Sequence, residues 1–232
     1  MDTIGIIGAM EEEVAMLIDC MQPSLRRNIV GLDFYIGKIN DKSVVVVKCG
    51  IGKVNAAVCT QVMIDHFAVD KIINIGVAGA IYKELKVGDI VISSDGVQHD
   101  MDTTAFGDPL GVIPRMEESF FKADKDLIEI AKKADSSCEG THNVYVGRIV
   151  SGDQFISCAE KKKQLWSEFQ AYCTEMEGAA IAHACYLNNI PFVIIRAISD
   201  SADGSADMDF AEFTKLAAKN SSHLVKSMLE LL

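Results

Sequence analysis

Runs of aliphatic residues at positions 4–8, 44–48, 71–77, 87–93 and 192–198 punctuate the chain, and none shows the strict polar alternation of a half-solvated strand. Strands apolar on both faces need cover on both, so they belong to a sheet enclosed between helices. Helical spacing fills the intervals. Met10, Val14, Leu17 and Met21 recur on one stripe after the first run, and Val54, Val58 and Val62 on another. Residues 178–187 form a helix of small side chains, and Phe210, Phe213, Leu216, Leu224, Met228 and Leu231 mark one stripe of a long C-terminal helix. Residues 143–151 read as a strand, and 159–169 as an amphipathic helix whose polar face carries Glu160, Lys161, Lys162 and Lys163. Residues 34–39 and 44–48 flank Asn40 and Asp41 as an antiparallel hairpin, and the run at 71–77 ends in a turn built on Gly76 and Gly79. Residues 98–116 lack a period and read as a long loop, which in compact domains tends to serve function. Only four prolines interrupt 232 residues, with no linker, repeat or low-complexity tract. Together these features predict a single α/β domain over residues 1–232, with a mixed, mostly parallel sheet covered on both faces.

Charge narrows the partners. With 22 Lys+Arg against 33 Asp+Glu, the net charge of −11 argues against nucleic acid or an anionic membrane surface. A small neutral or cationic ligand is the better match. Seven cysteines form no C-x-x-C pair, and Cys49, Cys59 and Cys185 lie in apolar runs, as expected of reduced, buried thiols in the cytoplasm. The apolar stretch at 4–10 is short and runs into Glu11, Glu12 and Glu13, so it does not read as a secretory signal, and no stretch is long enough to span a membrane.

In enclosed sheets of this kind, ligands sit beyond the carboxyl ends of the strands. The residues there are Met10 and Glu13, Gly50-Ile51-Gly52, Gly76 and Gly79, His99 to Asp102, Ser151 to Phe155, the Glu175-Met176-Glu177 segment, and Ser199-Asp200. Glu13 falls on the stripe of Met10, Val14 and Leu17 and points inward, whereas Glu11 and Glu12 turn to solvent and complement the helix dipole. A carboxylate so placed has its pKa raised by desolvation, which suits a general base. Arg196 sits in an otherwise aliphatic run, and a buried guanidinium needs an anionic partner: Glu175, Glu177 or a substrate oxygen held by them. As an ion pair alone it is equally well explained. Asp200 fits an Asx-turn or a helix N-cap as well as proton transfer. Phe155, on a polar glycine-containing loop, is a core residue by base rate or a platform for a planar base. None of the five histidines pairs with another His or Cys at metal spacing, so neither a metal nor another cofactor is expected.

Four segments, GIIGAMEEE at 5–13, SGDQFI at 151–156, EMEGAA at 175–180 and RAISD at 196–200, occur in register over a chain of this length. Together they resemble the 5′-methylthioadenosine/S-adenosylhomocysteine nucleosidases of the nucleoside phosphorylase superfamily, over essentially the whole chain. The resemblance implies a three-layer αβα sandwich around a twisted mixed sheet, a homodimer, and hydrolysis of an adenine N-glycosidic bond. It assigns Glu13 to activating the attacking water and Asp200 to donating to purine N7. Glu177, with Met176 beside it, would hold the ribose hydroxyls, and Arg196 would help position water and carboxylate. Phe155 would stack on adenine and the Ile156 backbone would read its edge, with Ser199 and Gly79 also at the substrate. Met10, Ile51, Thr103 and Phe210 would surround the 5′ group, with Phe106 and Pro114 of the other subunit closing that pocket. Val77 stands where many members carry a serine, and Thr103 where an aliphatic residue lines the thio pocket. The rivals are a phosphorylase, which needs cationic groups for phosphate where this chain offers Glu13, and an adenine-nucleoside-binding protein with a dead site, which the retained carboxylates argue against.

Overall fold

The computed structural model describes residues 2–135, 142–200 and 206–232, with the side chains of all but position 23 and positions 206–212. In chain order the elements are β1 (Thr3–Gly8), α1 (Glu11–Asp19), β2 (Gln22–Ile29), β3 (Leu32–Ile39), β4 (Lys42–Lys48), α2 (Lys53–Phe67), β5 (Lys71–Ala80) and β6 (Ile90–Gln98). There follow β7 (Phe120–Lys122), α3 (Lys125–Asp135), β8 (Val144–Ser151), α4 (Ala159–Phe169), β9 (Ala171–Glu175), α5 (Gly178–Asn188), β10 (Phe192–Asp200) and α6 (Ala206–Leu231).

One mixed sheet joins all the strands in the order β10-β6-β8-β9-β5-β1-β4-β3-β2, with β7 on β6 and a further β10–β5 pairing that bends one half of the sheet back on itself. The aliphatic runs are its interior. Val45 and Val47 of β4 pack with Ile7, Cys59 and Met63 on the face of α2 and α5. Val44 and Val46 pack with Ile6, Leu17, Leu127 and Leu224 on the face of α1, α3 and α6. Each of these runs thus serves two cores, which explains its unbroken apolarity and confirms the three-layer sandwich. No described helix is long and apolar enough to cross a membrane.

Several local expectations are corrected. The sheet is less parallel than expected, because β10–β6, β2–β3, β3–β4, β5–β9 and β6–β7 are antiparallel. Gly76 and Gly79 are not a turn: β5 runs through both to Ala80, held by parallel pairing to β10. β6 starts at Ile90, after Gly88 has made its positive-φ turn, and not at Val87. The inward side of α6 is carried by Ala217, Ala218, Ser221, Ser222, Leu224, Val225 and Met228, while Leu216 and Leu231 are exposed, since small side chains permit close packing that a stripe of large ones does not reveal. Lys162, read as part of a polar face, is buried beside Leu165 and Phe169. The hairpin is as expected: Asn40 and Asp41 both take positive φ, the two-residue turn that matches strand twist, with Asn and Asp doing what glycine usually does.

Candidate active site

A cavity of about 340 Å³ opens where β1, β5, β9 and β10 end, between Met10, Glu13, Gly79, Phe155, Glu177 and Asp200. Its walls are largely apolar, and its polar groups are few and convergent, the usual make-up of a small-molecule site.

Glu13 stands on the first turn of α1 and curls back over it. Its Oε2 accepts from the backbone N–H of Ala9 at 2.6 Å and Met10 at 2.9 Å, and its Oε1 from Val77 N–H at 3.0 Å. β5 makes room for it: a Cβ at Gly76 would lie 2.6 Å from Oε1. Burial pushes the Glu13 carboxyl above its ordinary value, against the pull of Arg196 and the three N–H donors.

Asp200 ends β10. Ser199 Oγ donates to its Oδ1 at 3.0 Å, and Lys162 Nζ lies 3.1 Å from its Oδ2 in an ion pair whose side chains are 3% and 2% exposed. The Asx-turn and the N-cap that the sequence also allowed for Asp200 involve positions 201–203, which lie outside the described residues. Gly79 is pressed against this carboxylate, for a Cβ there would fall 2.8 Å from Oδ2. Gly76 and Gly79 are three residues apart, so roughly 10 Å of strand separates the places where β5 meets the two acids.

Glu175 and Glu177 divide their duties. Arg196 donates to Glu175 Oε2 at 2.5 Å and to Asn74 Oδ1 at 2.7 Å, so Glu175 is its ion-pair partner. Glu175 also accepts from the Glu177 and Gly178 N–H groups at the start of α5 and from Ser151 Oγ. Burial opposes its charge, but Arg196 and these donors hold Glu175 below the ordinary carboxylate range. Glu177 stands at the N-cap position of α5 without a side-chain capping bond, and among the described residues its carboxylate takes one bond, from Gly52 N–H at 2.8 Å. Burial, then the neighbouring charge of Glu175, raise it to about 8.

Of the residues expected at the substrate, Met10, Glu13, Ile51, Gly79, Phe155, Ile156, Met176, Glu177, Ser199 and Asp200 all line the cavity. Arg196 does not; it is 2% exposed and sits behind the wall beside Glu13, where Glu175 and Asn74 hold it. Thr103 does not either; its hydroxyl donates to Asp108 Oδ2 at 3.1 Å in the loop after β6. Phe106, 89% exposed, and Pro114 lie outside the cavity on the same loop. The Phe210 side chain lies outside the described residues. Lys162 and Asn74 escaped the sequence reading as site residues, and Ser151 was named there at its strand end without the bond to Glu175 that it makes. For Lys162 a signal existed, its spacing from Leu165 and Phe169.

Residues 3–230 match the family model of the Phosphorylase superfamily, the class to which this fold belongs. A 5′-methylthioadenosine/S-adenosylhomocysteine nucleosidase of Staphylococcus haemolyticus is 45% identical over 230 residues, covering 99% of this chain and 100% of that protein. The crystal structure of the Neisseria meningitidis 5′-methylthioadenosine/S-adenosylhomocysteine nucleosidase, in complex with methylthio-immucillin-A, has a TM-score of 0.96 at 43% identity and covers 100% of both chains. The futalosine hydrolase of Helicobacter pylori strain 26695 has a TM-score of 0.94 at 37% identity, covering 100% of this chain and 98% of that one. The chain belongs to the 5′-methylthioadenosine/S-adenosylhomocysteine nucleosidase family.

Proposed function

We propose that this protein hydrolyses the N-glycosidic bond of 5′-methylthioadenosine and S-adenosylhomocysteine, and of 5′-deoxyadenosine, to adenine and the 5′-substituted ribose. The observation that carries the reading is the pair of buried acids, Glu13 and Asp200, on one apolar cavity with Glu177 beside them. As the C1′–N9 bond stretches, positive charge grows on the sugar and negative charge on the purine. The site answers each need. Glu13 takes the proton of the attacking water, and Asp200 passes one to N7. Glu177 and Met176 hold the ribose, with Glu177 bonding its hydroxyls; the half-exposed Phe155 stacks on adenine and the Ile156 backbone meets its edge. Met10 and Ile51 lie toward the 5′ group.

Water and not phosphate is the nucleophile in this reading. A phosphate dianion needs cationic partners, and no Lys or Arg is among the described residues that line the cavity. Adenine release measured with and without phosphate tests this. Equal rates are expected, and a strict phosphate requirement would overturn the reading. The likeness to a futalosine hydrolase keeps aminodeoxyfutalosine as a second substrate, so kcat/KM over these adenine nucleosides sets the 5′ preference.

The working form is a cytoplasmic homodimer. Ile51, Val54 and Val58 are exposed at i, i+3 and i+7 across the start of α2, an apolar stripe at the mouth of the cavity that suits a second copy. Phe106 and Pro114 of that copy close the 5′ end.

A further inference from the structure

Three lysines run in succession through the first turns of α4, and only Lys162 turns inward. With Leu165 and Phe169 it forms the buried stripe of that helix, at i, i+3 and i+7. A methionine or leucine at this position would complete the stripe with no polar partner to find. Replacing a buried ion pair by apolar residues is often neutral or stabilising, so the lysine is poorly explained by stability. It is better explained by where its ammonium lies, 3.1 Å from Asp200 Oδ2, with Asp200 on the wall of the cavity.

The ion pair raises a chemical question that the assignment of Asp200 leaves open. A carboxylate paired with an ammonium has no proton of its own to give to N7. The ammonium carries three. Arginine does not give up its proton in a protein, whereas a lysine ammonium can serve as an acid. Gly79 leaves no room for a Cβ on one side of the carboxylate, and Ser199 Oγ fixes Oδ1, so Asp200 is held between the ammonium and the cavity.

We propose that Lys162 supplies, through Asp200, the proton that departing adenine takes up at N7. An Nζ–H bond of Lys162 breaks as an O–H bond forms on the Asp200 carboxyl, and the Asp200 carboxyl proton passes to N7 as the C1′–N9 bonding pair withdraws into the purine. At the sugar, the water oxygen bonds to C1′ and its proton goes to Glu13. Solvent then returns a proton to Lys162 and removes one from Glu13, so the cycle closes with one water consumed. Lys162 is a positioning and proton-supplying residue that does not touch the substrate. The inference rests on Asp200 being the acid.

The test compares two leaving groups near neutral pH. 5′-Methylthioadenosine needs protonation at N7, whereas the 4-nitrophenyl glycoside of 5-methylthioribose loses its phenolate unaided. Lys162→Met and Lys162→Arg are each expected to lower kcat for 5′-methylthioadenosine by about 10²-fold. Their kcat for the nitrophenyl glycoside stays within about threefold of wild type. Arginine keeps the charge but does not release its proton, and methionine fits the apolar stripe, so the comparison stands even if the bulkier arginine variant fails to fold. Full activity of either variant on 5′-methylthioadenosine overturns the proposal, and so do parallel losses on both substrates, which mark a structural role. Asp200→Asn separates this inference from its premise. If Asp200→Asn shows no selective loss, the assignment of the acid falls and the relay with it. A selective loss in Asp200→Asn beside an active Lys162→Arg removes the relay alone.

Discussion

Glu13 and Lys162 show the same geometric rule at the scale of one residue. Each is one member of a run of three like charges, and each stands on its helix's apolar stripe. Glu13 was legible because Met10, Val14 and Leu17 define the stripe around it. Lys162 was hidden because its stripe has only Leu165 and Phe169, and the neighbouring lysines made the whole turn look solvated. An ionised carboxylate offers about four acceptor sites, and backbone N–H groups occupy three on Glu13, so one remains for a water. Glu13→Gln keeps an acceptor for the Ala9 and Met10 N–H groups but turns its NH2 toward Val77 N–H, so it is expected to fold with a lowered melting temperature and to lower kcat by about 10²-fold or more in an adenine-release assay. Because burial raises the Glu13 pKa, the acid limb of the wild-type rate profile should lie above the ordinary carboxylate value of 4.5, and a limb at or below it would contradict the base assignment. Glu177 bears on stability instead. Its folded pKa of about 8 exceeds the ordinary 4.5, so the folded state binds the proton more tightly. That contribution is complete below 4.5 and is lost as pH rises through 8. The melting temperature of the ligand-free protein should fall as pH rises from about 4.5 to about 8, and fall less over that range in Glu177→Gln.

At the scale of elements, β5 decides the site. Its glycines read as a turn from sequence, since glycine is a frequent breaker, but pairing with β10 carries the strand through them. Glycine within a strand also marks close approach, and here two carboxylates approach. Long apolar strands such as β10 were readable from their composition alone. The short β7 and β9 were not, for three and five residues give too little pattern, and they exist because neighbouring strands offer unpaired edges. Gly79→Ala puts a methyl group 2.8 Å from Asp200 Oδ2, at a backbone conformation that alanine adopts without strain. The expected result is a fall in kcat of at least about tenfold. The melting temperature should fall as well, because Asp200 can yield only by straining its buried bonds to Lys162 and Ser199. An unchanged kcat would mean that the placement of Asp200 does not govern the rate.

The whole molecule leaves one part of the reading unfilled. Thr103, Phe106 and Pro114 belong to a loop that a single chain does not bring to its own cavity, yet Ile51 carries the cavity wall outward onto an exposed apolar stripe. Two copies meeting on Ile51, Val54 and Val58 would exclude water from that stripe and bring Phe106 of one chain to the 5′ end of the other chain's cavity. If so, each site is made by two chains, and damage to the two contributions is separable. Phe106→Ala should raise KM for 5′-methylthioadenosine by about tenfold, the worth of burying part of a 5′ group against an aromatic ring. Glu13→Gln should lose about 10²-fold or more in kcat with KM nearly intact. Mixing the two variants under conditions that let subunits exchange creates a hybrid in which one site has both its own Glu13 and the partner's Phe106. That site should regain the wild-type KM and kcat together, a combination that neither parent has. A mixture that behaves as the sum of its parents, with exchange confirmed by mass, would place Phe106 outside the neighbouring site and leave the cavity to be closed by its own chain.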